Sequence, residues 1–179
     1  MDEFLSDRDI ANFLDDTGTH NIQMYEDITK YRNANQLFPG GVEYAIIFLP
    51  VTSKSVGHWQ LLIRKPKQYY FFDSYGEEPN RKVNVQLGIN GNLWTLLEAD
   101  SKRELIINNV QYQDYSADIG TCGRWVLLCL FLFYIYKHFN FNKMLEVVDF
   151  MLRKFQLSPD EFVTQLINRN LEELTFNHG

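Results

Sequence analysis

What the chain lacks narrows its function before any motif is considered. Among 179 residues there are two cysteines, Cys122 and Cys129. They lie in one predicted helix, separated along its axis by a rise of roughly 10 Å, too far for a bridge. A disulfide scaffold is excluded, and a reducing, intracellular setting is expected. There is no basic stripe. The net charge is −6, and the densest cationic cluster, Arg64, Lys65 and Lys67, falls at a predicted turn. A sequence-independent nucleic-acid binder has the opposite balance. The longest apolar run, Trp125 to Tyr136, is shorter than the ~20 residues of a membrane span. The opening residues Met1-Asp2-Glu3-Phe4 carry neither the basic nor the apolar stretch of a secretory leader. Neither Cys-x-x-Cys nor His-Glu-x-x-His spacing occurs, so no metal site and no cofactor is expected. No repeat, low-complexity tract or linker divides the chain. The expectation is one soluble domain, residues 1–179, with a full-sized core.

What is present alternates between short apolar strands and amphipathic helices. Ser6-Asp7-Arg8-Asp9 has the form of a helix start, and Ile10, Phe13 and Leu14 come after it at helical spacing, with Asp16-Thr17-Gly18 as the stop. Residues 21–36 fit either a short helix or an ordered loop. Pro39-Gly40-Gly41 is a turn. Glu43 to Leu49 reads as a strand buried on both faces. His58 to Arg64 and Tyr69 to Asp73 read as a hairpin turning at Lys65-Pro66, with a loop from Tyr75 to Asn80. Asn92 to Ala99 is a predicted helix and Glu104 to Gln113 a predicted strand. A loop from Tyr115 to Thr121 leads into a long buried helix opened by Cys122. Phe141 to Phe155 and Pro159 to Leu174 complete the set, the last announced by Ser158-Pro159-Asp160-Glu161.

The stretch Gly120-Thr121-Cys122-Gly123-Arg124-Trp125 organises the rest. A helix start offers unpaired N–H groups and a partial positive charge, both of which favour a thiolate. Gly120 and Gly123 allow other backbone to approach closely. Cys122 is therefore the expected nucleophile, and Cys129 inert core. A nucleophilic cysteine needs a base, and the base needs an orienting group. His178 lies in the tail, His138 at the far end of the Cys122 helix and His20 in a loop. His58, at the start of a buried strand beside Trp59, is the expected base. With the hairpin turn centred between Lys65 and Pro66, Arg64 faces Lys67 and His58 faces Asp73, close enough for an imidazole–carboxylate bond. A slip of two residues sets His58 against Tyr75 or Phe71 instead. For an oxyanion the Cys122 N–H is one donor. Gln111 and Gln113, on one face of the predicted strand, are the side-chain alternatives, and Gln113 is nearer the cysteine.

His58-Trp59, Asp73 within Phe72-Asp73-Ser74-Tyr75-Gly76, Gln113, and Cys122-Gly123 resemble, in that order, the adenovirus maturation protease and the SUMO-deconjugating cysteine proteases, most of all the forms of DNA viruses and virus-like transposons. The likeness spans roughly Glu43 to Tyr136. It implies an α+β fold with a mixed central sheet flanked by helices, a papain-like core with permuted His-Asp-Gln-Cys order. It implies His58 as base, Asp73 as orienter, Cys122 as nucleophile and Gln113 as oxyanion donor. Trp59 would wall a narrow substrate cleft, with Gly120 and Gly123 beside it, favouring glycine near the scissile bond. The expected function is a viral maturation endopeptidase that cleaves capsid or other virion precursors, acting as a monomer in host cytoplasm or nucleus and packaged in the particle. Activation by DNA or by a disulfide-linked peptide does not carry over to an acidic chain whose Cys129 sits in an apolar run. A deconjugating protease for ubiquitin-like tails and an inactive binding module on the same fold are the alternatives.

Overall fold

A computed structural model of the chain describes residues 5–14, 21–53, 56–79, 92–115 and 120–177. The opening Met1–Phe4, the expected helix stop at residues 16–18, the loop end at Asn80, and both His20 and His178 lie outside the described residues.

The elements in order are α1 (Asp7–Leu14), β1 (Ile22–Met24), α2 (Tyr25–Ile28), β2 (Tyr44–Ser53), β3 (Val56–Arg64), β4 (Gln68–Asp73), α3 (Leu93–Glu98), β5 (Glu104–Ile107), α4 (Cys122–Ile135), α5 (Phe141–Phe155) and α6 (Pro159–Asn177). The described residues form a five-stranded mixed sheet in the order β1-β2-β3-β4-β5. An antiparallel meander, β2 to β4, is flanked by parallel edge strands β1 and β5. The fold is α+β, with helices on both faces of the sheet.

Alternation along the strands sorts two cores. Ile46, Phe48, Trp59, Leu61, Ile63 and Phe72 pack on one face with α4 and its neighbouring helices. Ala45, Ile47, Leu49, Leu62, Tyr69 and Phe71 pack on the other with α2 and α3. Period-2 geometry sends successive side chains to opposite faces, so a strand covered on both sides reads as a continuous apolar run. Each fully buried large side chain contributes about 1.5–3 kcal/mol. Trp125 of α4, with no exposed surface, is among the largest of them.

Local signals set the helix ends. Ser6 and Asp9 form a reciprocal capping box at α1: Ser6 Oγ accepts the Asp9 N–H at 3.2 Å, and Asp9 Oδ2 accepts the Ser6 N–H at 2.8 Å. Ser158 and Glu161 repeat it at α6. Asn140 caps α5 by accepting the Lys143 N–H at 2.9 Å.

Four expectations are corrected. The hairpin register is shifted by two: Gln60 pairs with Asp73 and Arg64 with Tyr69. The Lys65 N–H donates to the Gln68 carbonyl at 2.8 Å, so the two turn residues are Pro66 and Lys67. Proline is at home as the first turn residue, whereas as the second it bars its predecessor from the helical region. The strand expected over Glu104 to Gln113 stops at Ile107. There the Asn108 side chain takes over the pairing, accepting the Asp73 N–H at 2.7 Å and donating to the Asp73 carbonyl at 2.8 Å. The stretch 21–36 is neither one helix nor a loop, but holds β1, α2 and a 3-10 turn at Ala34–Leu37. The Cys122 helix is buried on all sides only over its first two and a half turns: beyond them Leu132 and Phe133 stay buried, but Phe131, Tyr134 and Ile135 are each more than half exposed, at 52%, 54% and 52%.

Candidate active site

Cys122 is the first residue of α4. Thr121, at the N-cap, makes no side-chain cap bond to the helix, so its first-turn N–H groups stay available. Cys122 is only 4% exposed, and its sulfur meets the His58 side chain and the backbone N–H groups of Trp59 and Gly123. Burial on its own raises a thiol's pKa. Here the hydrogen bond and charge of His58, and then the two N–H groups, outweigh burial and hold the Cys122 thiol below its ordinary value. Cys129, two turns along the same helix, is equally buried, and burial pushes its thiol well above the ordinary range. One helix thus carries two buried cysteines whose surroundings shift them in opposite directions.

His58 and Asp73 meet where β3 begins and β4 ends. His58 Nε2 lies 3.0 Å from Asp73 Oδ2, with both side chains buried. The contact is diagonal across the hairpin because Gln60, and not His58, stands opposite Asp73. Diagonal neighbours are about 7–8 Å apart at the backbone, a gap an imidazole can span. With Nε2 on the carboxylate, Nδ1 is the nitrogen left for the Cys122 sulfur. Burial opposes the charged imidazole, but the Asp73 carboxylate overcomes it, with a further contribution from Cys122, and the imidazole pKa rises to about 10. Burial likewise opposes the Asp73 carboxylate. The His58 charge, the Gln60 amide at 2.8 Å and the Tyr75 N–H at 2.8 Å bring its pKa below the usual value. The arrangement favours a thiolate–imidazolium pair braced by a carboxylate.

Gln113 is buried, and its backbone N–H donates to the Ser74 carbonyl at 3.0 Å. Ser74 Oγ donates to Gln113 Oε1 at 2.8 Å, which turns the amide NH2 away from Ser74. The next residue is tied to the start of the Cys122 helix by Asp160 at the start of α6. One Asp160 oxygen accepts the Asp114 N–H at 2.9 Å, and the other accepts the Thr121 hydroxyl. Asp114 and Thr121, the sequence neighbours of Gln113 and Cys122, are thereby held on one carboxylate. Gln111 is exposed and donates its amide to the Gln113 carbonyl at 3.0 Å. Of the two amides, Gln113 is the one built into this cluster.

Trp59 and Gly120 line a cavity of about 130 Å³ that Cys122 also borders. Gly123, the second residue of α4, lies against Trp59, and a Cβ on it would stand 3.2 Å from Trp59 Cδ1. Of the histidines in the described residues, His138 lies beyond the end of α4 and is exposed.

Three supporting residues were not anticipated from sequence: Gln60, Asn108 and Asp160. Tyr75, the residue that a two-residue slip sets against His58, stacks its ring on that imidazole with centroids 4.8 Å apart. Gln60 was legible in principle, being on the same strand face as His58. Asn108 and Asp160 act through contacts 35 and 39 residues away in the chain, which no local pattern announces.

No helix among the described residues is long and apolar enough to cross a membrane. No family model matches the chain. A protein of Sputnik virophage, named uncharacterized protein V9, is 30% identical over 170 residues, covering 90% of this chain and 93% of that protein. Identity at that level over nearly the full length of both chains shows common descent: the chain belongs to the family of the virophage protein V9.

Proposed function

We propose that the protein is a cysteine endopeptidase that trims virion precursor proteins at small, glycine-containing sites. The observation that carries this reading is the placement of His58 between the Asp73 carboxylate and the sulfur of Cys122, a residue that borders a small cavity. That is the geometry of a base-activated nucleophile with an oriented base. The virophage relative supports a viral setting, in which the enzyme would act in the host cell and be packaged in the particle.

In this mechanism the Cys122 thiolate attacks the scissile carbonyl carbon. The carbonyl oxygen gains the charge and is met by the Cys122 N–H and the Gln113 amide. Collapse of the tetrahedral intermediate breaks the C–N bond as His58 donates its proton to the departing amine, leaving a thioester. Water then attacks the thioester, giving a proton to His58, and collapse returns the thiolate and releases the acid.

The test is to incubate purified protein, and its Cys122→Ala variant, with unprocessed particle proteins and to identify new termini by mass spectrometry. Cleavage at defined internal Gly-X sites by wild type alone is expected. Cleavage confined to a ubiquitin-like tail fusion would move the assignment to deconjugation. No cleavage of either substrate class would sink the peptidase reading.

A further inference from the structure

Before α1, Leu5 reaches across 54 residues of sequence to the site. Its carbonyl accepts the Trp59 Nε1–H at 3.0 Å, and the residue is 8% exposed. Three features of sequence hold it there. The Ser6–Asp9 capping box fixes where the helix starts. Leu5 and Ile10 occupy the two positions of a hydrophobic staple on that box. Both face Gly123: a Cβ there would lie 3.2 Å from Leu5 Cβ and 3.5 Å from Ile10 Cδ1. The bare glycine beside the nucleophile is what admits Leu5.

Leu5 is thereby one wall of the cavity on Cys122, facing Phe48, Val56 and Trp59. Gly57 keeps the floor clear, since a Cβ on it would stand 2.7 Å from Phe48 Cζ. Val56, half exposed, marks the mouth. At about 130 Å³ the space holds roughly four waters' volume, the room of a side chain with a few carbons. Its walls are mostly hydrocarbon, the remainder being the thiol and the backbone of Gly57 and Gly120. A charged side chain would lose its water there without gaining a charged partner, and a Phe side chain would overfill the space, since a cavity of ~150 Å³ is what a bare benzene ring takes.

Resting on the peptidase reading, we infer that Leu5 is a specificity-determining residue: with Phe48, Val56 and Trp59 it forms an apolar subsite beside Cys122 that accepts one small aliphatic side chain of the substrate. Leu5, just before α1, is then part of the substrate-binding surface.

The test uses tripeptidyl vinyl sulfones in which one position at a time is Gly, Ala, Val, Asp or Phe. Labelling of Cys122 in the full chain is monitored by intact mass, with iodoacetamide as a probe that needs only the thiolate. In wild type, one position should favour Ala or Val over both Asp and Phe. A single methylene in an apolar pocket is worth about 10- to 200-fold in selectivity. Leu5→Ala should therefore raise labelling by the Phe probe at least tenfold relative to the Ala probe. Leu5→Trp should lower labelling by the Val probe at least tenfold while sparing the Gly probe. Trp59→Phe, which removes the donor that holds the Leu5 carbonyl, should reproduce the broadening with Leu5 intact. If all three variants keep the wild-type order of preference and the wild-type iodoacetamide rate, the subsite assignment is overturned. If iodoacetamide labels wild-type Cys122 but no peptidyl probe does, the peptidase reading itself fails and the subsite goes with it.

Discussion

Replacing Asp73 with asparagine changes one oxygen to an NH2 and removes one charge. The three hydrogen bonds that converge on the carboxylate set the consequence. Asp73 Oδ2 accepts from His58 Nε2 and Gln60 Nε2, while Oδ1 accepts the Tyr75 N–H. Asparagine has a single acceptor oxygen. Turned toward His58 and Gln60, it sets its NH2 against the Tyr75 N–H. Turned the other way, it confronts the imidazole with a donor and favours the tautomer with the proton on Nδ1. In both cases at least one charge-assisted hydrogen bond is lost, about 1.5–3 kcal/mol. At 1.4 kcal/mol per decade this is roughly a 10- to 150-fold loss of the thiolate–imidazolium pair. The assay is the rate of Cys122 carbamidomethylation as a function of pH, read by peptide mass spectrometry. Cys129, fully buried with its thiol pKa pushed up, is the internal control. Below neutral pH the variant should react 10- to 150-fold more slowly than wild type. Above the ordinary thiol pKa of about 8.5 the two should converge, because solvent then removes the proton without help. Wild-type reactivity of Asp73→Asn at pH 6 would refute the coupling from Asp73 through His58 to Cys122.

The same geometry sets the outcome of further substitutions. Cys122→Ala and His58→Ala should each abolish precursor cleavage while retaining a cooperative melt, and turnover by either would mean the wrong residues have been chosen. Because the His58 pKa is raised from 6.5 to about 10 in the folded chain, its contribution to stability is complete below pH ~6.5 and is lost as pH climbs toward ~10. The melting-temperature advantage of wild type over His58→Ala should accordingly shrink across that window, and an advantage that grows with pH contradicts the assignment. Asp160→Ala releases both the Asp114 N–H and the Thr121 hydroxyl, so about 1–3 kcal/mol of stability should go with it. Vinyl sulfone labelling should slow more than iodoacetamide labelling. Equal slowing of both would show that Asp160 supports the fold and not the alignment of Gln113 with Cys122.

How much of the site was legible depends on the range of the contacts that build it. Cys122 at a helix start, flanked by Gly120 and Gly123, is a local signal, because the availability of first-turn N–H groups is a property of any helix. His58 and Asp73 were legible through hairpin geometry, and their contact held even though the expected register was wrong. The reason is the reach of the side chains: a two-residue slip turns a direct neighbour into a diagonal one on the same face, still within range of an imidazole. The position of Pro66 could have given the true register, since proline belongs first in a two-residue turn. The early end of β5 could not be read locally. Nothing in the residues 104–113 reveals that the Asn108 amide will replace backbone pairing to Asp73.

Residue order and patterning alone determined the strands covered on both faces, the capped helices and the identity of the candidate nucleophile and its base. Those are consequences of side-chain periodicity and of unpaired groups at helix ends, which act over a few residues. Tertiary structure decided which cysteine gains a lowered pKa, because Cys122 and Cys129 share a helix and differ in what folds against them. It also decided that Leu5 borders Cys122 and that Asp160 gathers the Asp114 N–H and the Thr121 hydroxyl on one carboxylate. Both depend on segments far apart in sequence being pressed together by the burial of α1, α4 and α6 on one face of the sheet.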